Sequence, residues 1–188
     1  MVPDRPRISV APTLLVAMPQ MLDPNFRRGV VLLCEYTEDG AFGFVINRPM
    51  HEPAWEVVQA QPPIEIHREQ RLWVGGPVEP ERSWVLLDQP SGFEDDTRLV
   101  APGIYLSASG ELARQILQGP PRGRARVIVG YAGWGAGQLD RELAASAWLT
   151  ADASLDLVFD VPADRVWETA IRRLGADPAS LQTSGRVH

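Results

Sequence analysis

Apolar residues in this chain come in short runs, broken at close intervals by Gly, Pro and acidic residues. Residues 13–17 (TLLVA) form a continuous apolar run and predict a short buried strand, which Met18-Pro19 ends because proline cannot donate to a sheet. Asp23-Pro24 predicts a capped helical turn, with the carboxylate accepting from backbone N–H groups and proline at the first position. Residues 29–36 (GVVLLCEY) and 41–46 (AFGFVI), joined by TEDG, predict a β-hairpin, and Asn47-Arg48-Pro49 ends its second strand. A short helix is expected over 53–60, with Trp55 and Val58 on one face, and strands over 72–74, 84–87 and 104–107. Residues 88–98 (DQPSGFEDDTR) are the most polar stretch and read as a loop.

The second half alternates differently. Leu112 and Ile116 stack on a helix over 111–118 that Gly119-Pro120-Pro121 stops. A helix beginning near Gln138 carries Leu139, Leu143 and Ala147 at spacing four. A third, over 162–174, has Pro162 at its start, an apolar face of Val166, Trp167, Ala170, Ile171 and Leu174, arginines at its negative end and Gly175 as its stop. Residues 155–159 (LDLVF) read as a strand between the last two helices. Strands crowd the first half and helices join them in the second, the pattern of an α+β domain rather than a doubly wound parallel sheet. Residues 1–12 are expected to form a tail, and 13–188 one domain.

Composition narrows the function. Apolar residues make up 45% and charged residues 22%, ordinary for a globular protein. The net charge is −6 and every basic residue is arginine, clustered only thinly, as at Arg122, Arg124 and Arg126. Direct DNA binding therefore has weak support. Cys34 cannot form a disulfide within the chain and reads as a small buried hydrophobe. Neither a signal-peptide core nor a membrane-spanning run is visible, which makes the cytoplasm the expected compartment.

The segment YAGWGAGQLDREL, residues 131–143, raises the sharpest chemical question. Glycines ahead of a helix could cradle a phosphate on backbone N–H groups. Its spacing is GxGxG rather than GxGxxG, no Walker lysine follows, and Asp140 and Glu142 already occupy the positive end of the helix dipole. The alternatives are a packed turn, in which Gly133, Gly135 and Gly137 supply positive φ, and a groove lined by Tyr131 and Trp134 with Gln138 at its tip. His51, His67 and His188 lack ligand-spaced partners, and Ser107 and Ser109 lack a GxSxG setting. No catalytic residue, metal or cofactor is assigned, and an enzyme is the less favoured reading.

Several ordered segments together resemble the YqgE/AlgH family of bacterial proteins. They are Ala17-Met18-Pro19 with 22–28 (LDPNFRR), 40–43 (GAFG) with 45–49 (VINRP), Gly75-Gly76-Pro77-Val78, 130–139 (GYAGWGAGQL) and Ala147-Trp148-Leu149. The resemblance implies a single α+β domain whose mixed, largely antiparallel, bifurcated sheet forms a pseudo-barrel with flanking helices. It also implies a regulatory label connected with transcription, with no established catalysis. The chain departs from the family pattern at Gly29, Tyr36 and Arg186.

Grouping these motifs by chemistry gives Asp23, Asn47, Arg48, Tyr131, Trp134 and Gln138 as residues that could converge on one groove, with Gly75, Gly76 and Pro77 as a structural turn. The competing reading makes Asp23 a cap and Asn47 and Arg48 turn residues. The leading functional expectation is a regulatory or interaction protein with a protein partner. The alternative is a small-anion or nucleotide sensor, or a hydrolase, using the glycine-rich loop.

Overall fold

The computed structural model describes residues 13–92 and 96–184. The tail expected over 1–12, like His188, lies outside them. The fold is α+β, a curled half-barrel sheet with flanking helices. Its strands are β1 (Thr13–Ala17), β2 (Val30–Thr37), β3 (Gly40–Val45), β4 (Trp73–Val74), β5 (Val78–Leu87), β6 (Thr97–Ala101), β7 (Ile104–Ser107), β8 (Ala125–Gly135) and β9 (Trp148–Asp152). Along the sheet the order is β6-β7-β5-β8-β3-β2-β1-β9, with β4 pairing in parallel to β8 and the other pairs antiparallel.

β8 makes the sheet fork. Its first part, through Tyr131, pairs with β5, and Ala132 to Gly135 pair with β3. The turn Gly75-Gly76-Pro77 sits in the crotch. Gly75 receives the Val45 N–H on its carbonyl at 2.8 Å and donates to Val129 at 2.9 Å. A β-carbon on Gly76 would lie 2.2 Å from the Tyr131 carbonyl carbon, and one on Gly130 (φ +70°) 2.3 Å from the Gly76 carbonyl oxygen. Only glycine permits this crossing.

Alternation along the strands divides the core into layers. Leu14, Leu32, Phe44, Leu86 and Ile128 point to the inner face and pack on α4 (Leu155–Phe159) and α5 (Ala163–Arg173). Leu15, Val31, Val45 and Trp134 point outward against Leu139 of α3 (Gln138–Ala144) and Trp148 of β9. Val85, Leu87 and Val127 point outward against Leu112, Ala113 and Leu117 of α2 (Gly110–Gln118) and Ala54 of α1 (Ala54–Val57). The Ser109 hydroxyl caps α2 by accepting from Leu112 N–H, and Gln70 Nε2 closes its other end by donating to the Ile116 and Gly119 carbonyls, both at 2.9 Å. The last helix is α6 (Pro178–Ser184).

Several expectations need correction. Residues 155–159 are helical: LDLVF is too short for its apolar run to reveal its period, and Leu157 and Val158 face the core from one turn. The polar stretch 88–98 ends as the edge strand β6, which takes in Thr97 and Arg98. β9 and α6 have no counterpart in the sequence reading. Helix α1 spans only four residues and buries Ala54, leaving Trp55 52% exposed.

Candidate functional site

The segment that suggested a cradle is strand through Gly135, and the turn is only Ala136-Gly137. Among the three glycines proposed for positive φ, only Gly137 (φ +70°) has it; Gly133 and Gly135 are extended parts of β8. The Gln138 side-chain oxygen accepts the Gly135 N–H at 3.0 Å, so this amide is already capped. Gln138 Nε2 donates onward to Glu142 at 3.1 Å.

Of the six residues expected to share a groove, Tyr131 and Trp134 line one groove, and Asp23, Asn47, Arg48 and Gln138 lie outside its lining. Gly130 departs from regular strand geometry and brings Tyr131 to the inner face, after which Trp134 falls on the outer face. Trp134 is 6% exposed, stacked on Phe26 at 6.0 Å and edge-on to Trp148 at 6.1 Å. Asp23 closes its own turn, accepting from Asn25 N–H at 2.9 Å. Asn47 ties two strands' ends, accepting from Val30 N–H at 3.0 Å and donating to the Arg28 carbonyl at 2.9 Å. The Arg48 guanidinium donates to the Arg27 carbonyl.

The groove that Tyr131 and Trp134 line, about 600 Å³, lies at the mouth of the half-barrel. Its floor is aromatic: Phe42 lies 5.0 Å from Tyr131 and 5.5 Å from Trp84, ring centre to ring centre. Charged residues form the rim. Arg98 pairs with Glu35 at 3.6 Å, and Arg82 lies 4.2 Å over the Trp84 ring while pairing with Glu79 at 3.4 Å.

Two irregularities build this arrangement. β2 bulges between Leu33 and Glu35, which sets Glu35 opposite Phe42 and turns it to the groove. β5 loses register between Val78 and Ser83, and Glu79 adopts φ +45° there. Burial pushes the Tyr131 phenol up, and neighbouring Glu79, which shares a hydrogen bond with it, adds to the shift. The Trp84 indole N–H is buried with no acceptor among the described residues. A strained backbone and an unpaired buried donor both cost free energy, and such features concentrate at functional sites.

Arg82, Trp84, Arg98, Glu35 and Phe42 escaped the sequence reading. Alternation places Phe42 and Phe44 on one strand face, but nothing local shows that β6 and β2 meet across the mouth. A smaller cavity, about 340 Å³, lies beside Arg48 and is also lined by Asn25, His51, Glu52, Val74 and Gly76. Among the described residues, no group of three or more His, Cys, Asp or Glu could hold a metal ion, and no helix is long and apolar enough to cross a membrane.

Comparison with known proteins places this architecture. An AlgH-like family model matches residues 14–179, nearly the whole described chain. The chain belongs to the AlgH-like family. Its relatives include UPF0301 proteins of Myxococcus xanthus, 40% identical over 92% of this chain and 95% of the relative, and of Xanthomonas campestris, 39% identical over 90% and 94%. The solution structure of the AlgH protein from Pseudomonas aeruginosa superposes with a TM-score of 0.75 at 36% identity, covering 94% of each chain. A crystal structure from Corynebacterium diphtheriae shares the fold, with a TM-score of 0.68 at 23% identity over all of this chain and 95% of that one. The family thus carries this half-barrel.

Proposed function

We propose that this AlgH-like protein is a non-enzymatic regulatory module that captures a protein partner in the groove at the half-barrel mouth. The observation that carries the reading is the aromatic floor of Phe42, Trp84 and Tyr131 beneath the two guanidinium groups of Arg82 and Arg98. Aromatic and arginine side chains dominate the energetic centres of protein interfaces, because they bury large areas and retain directional polar contacts. The fitting partner is a segment with an apolar side chain for the floor and a carboxylate that can exchange with Glu35 or Glu79 at an arginine. Any effect on transcription would run through that partner. At a net charge of −6 the chain is poorly suited to release counterions from duplex phosphates.

The test is a pull-down from native extract with wild type, an Arg82→Glu/Arg98→Glu variant and a Leu174→Ser control, Leu174 being exposed on the α5 side. Loss of a partner with the arginine pair changed, and its retention by the control, is the expected outcome. Equal recovery by all three proteins would sink the groove as the capture surface.

A further inference from the structure

We propose that the pocket beside Arg48 is a second site, one that binds an oxyanion (a carboxylate or a phosphate group) through the Arg48 guanidinium. Among the fifteen described arginines, seven are ion-paired with Asp or Glu and eight are not. Arg48 has no such pair there, and its contact is one backbone carbonyl, that of Arg27. A guanidinium has five donors in a planar fork suited to bidentate recognition of oxyanions, so most of its capacity is unused. Burial disfavours the Arg48 charge, with no neighbouring acid to offset it. Burial also lowers the Arg126 guanidinium, but that side chain is already occupied: it lies 3.7 Å over Trp73 and donates to the Ile46 and Phe159 carbonyls.

Arg48 opens instead onto the cavity of about 340 Å³, where Asn25 and His51 add polar atoms. Its backbone is held in place. Val74 N–H donates to the Arg48 carbonyl at 2.8 Å, and Pro49 next to it bridges to Trp73. A second cation stands close by, since Arg71 donates to the His51 carbonyl at 2.7 Å. Glu52 lines the pocket too, yet forms no ion pair with Arg48. A partly desolvated, pre-positioned and unneutralised cation lining a largely apolar cavity gains from an incoming oxyanion, because charge-assisted hydrogen bonds are the strong ones. The site is separate from the half-barrel mouth and does not depend on the partner-capture reading.

The probes are inorganic phosphate and acetate, each titrated at ionic strength held constant with chloride. In wild-type protein the amide resonances of His51, Glu52 and Val74 should shift saturably, while those of Phe42 and Gly133 at the mouth stay still. Arg48→Lys should raise the Kd about tenfold, since the charge remains but the fork is lost, and Arg48→Met should abolish saturation. The wild-type titration decides the matter even if Arg48→Met folds poorly. A response to acetate alone assigns a carboxylate ligand, one to phosphate alone assigns a phosphoryl group, and either supports the site. No saturable shift with either anion, or an unchanged Kd in Arg48→Met, overturns it.

Discussion

Trp134 of β8 and Trp148 of β9 donate their indole N–H groups to the same carboxylate oxygen, Glu142 Oε2, at 3.0 and 2.8 Å. One side chain from α3 thus binds two strands that are not neighbours in the sheet, and its other oxygen accepts from Gln138. Removing the acceptor leaves two core indoles unsatisfied, at about 1–3 kcal/mol each. Glu142→Ala should therefore lower stability by about 2–6 kcal/mol in urea unfolding, while Glu142→Gln, which retains an acceptor, should cost markedly less.

The glycines of β8 should differ sharply from one another. A β-carbon at Gly135 would meet nothing nearer than a flexible Gln138 oxygen at 4.0 Å, so Gly135→Ala should stay within about 1 kcal/mol of wild type. Gly130→Ala forces a left-handed residue against the Gly76 backbone at 2.3 Å. It should cost more than about 3 kcal/mol or prevent folding. Comparable midpoints for the two variants in thermal unfolding would contradict the crossing described at the fork.

Acid should weaken the tie between α4 and α5. Hydrogen bonds from Arg173, then from Ser154, hold the Asp156 carboxyl below the usual carboxylate range. A depressed folded-state pKa means the stabilisation is complete above the unfolded value near 4 and disappears as pH falls through the folded one. Both side chains are nearly half exposed, which limits the contribution to under about 1 kcal/mol. Asp156→Asn should lower stability at pH 7 slightly and flatten its decline below pH ~4, as measured by urea midpoints across that window.

Cys34 should be chemically quiet. Burial, opposed by nearby Arg98, pushes its thiol up to about 12, and little thiolate exists at neutral pH. An aromatic disulfide reagent at pH 8 should label the native protein far more slowly than the urea-unfolded chain. Equal rates would show that the thiol is accessible and not desolvated.

Much of this fold was legible residue by residue. The β2–β3 hairpin followed from two apolar runs around TEDG, and α5 from Pro162, its apolar face and Gly175. The failures have a common physical origin. At Leu155–Phe159 the element was too short for its period to show, and β6 and β9 are stabilised by pairing with β7 and β1, strands distant or weakly marked in sequence. The candidate site suffered from the same limit. Tyr131 and Trp134 were singled out, but their companions Phe42, Trp84 and Arg98 come from three other strands. Tyr131 and Trp134, three residues apart on one strand, pack into opposite layers of the sheet while both line the groove.

β8 is held in common by both arms of the fork, and this governs how the molecule can come apart. Neither arm can peel away without stripping a ladder from the strand the other still needs. An injury at the half-barrel mouth and one beneath α2 are thus shared losses, and the half-barrel stands or falls as one body.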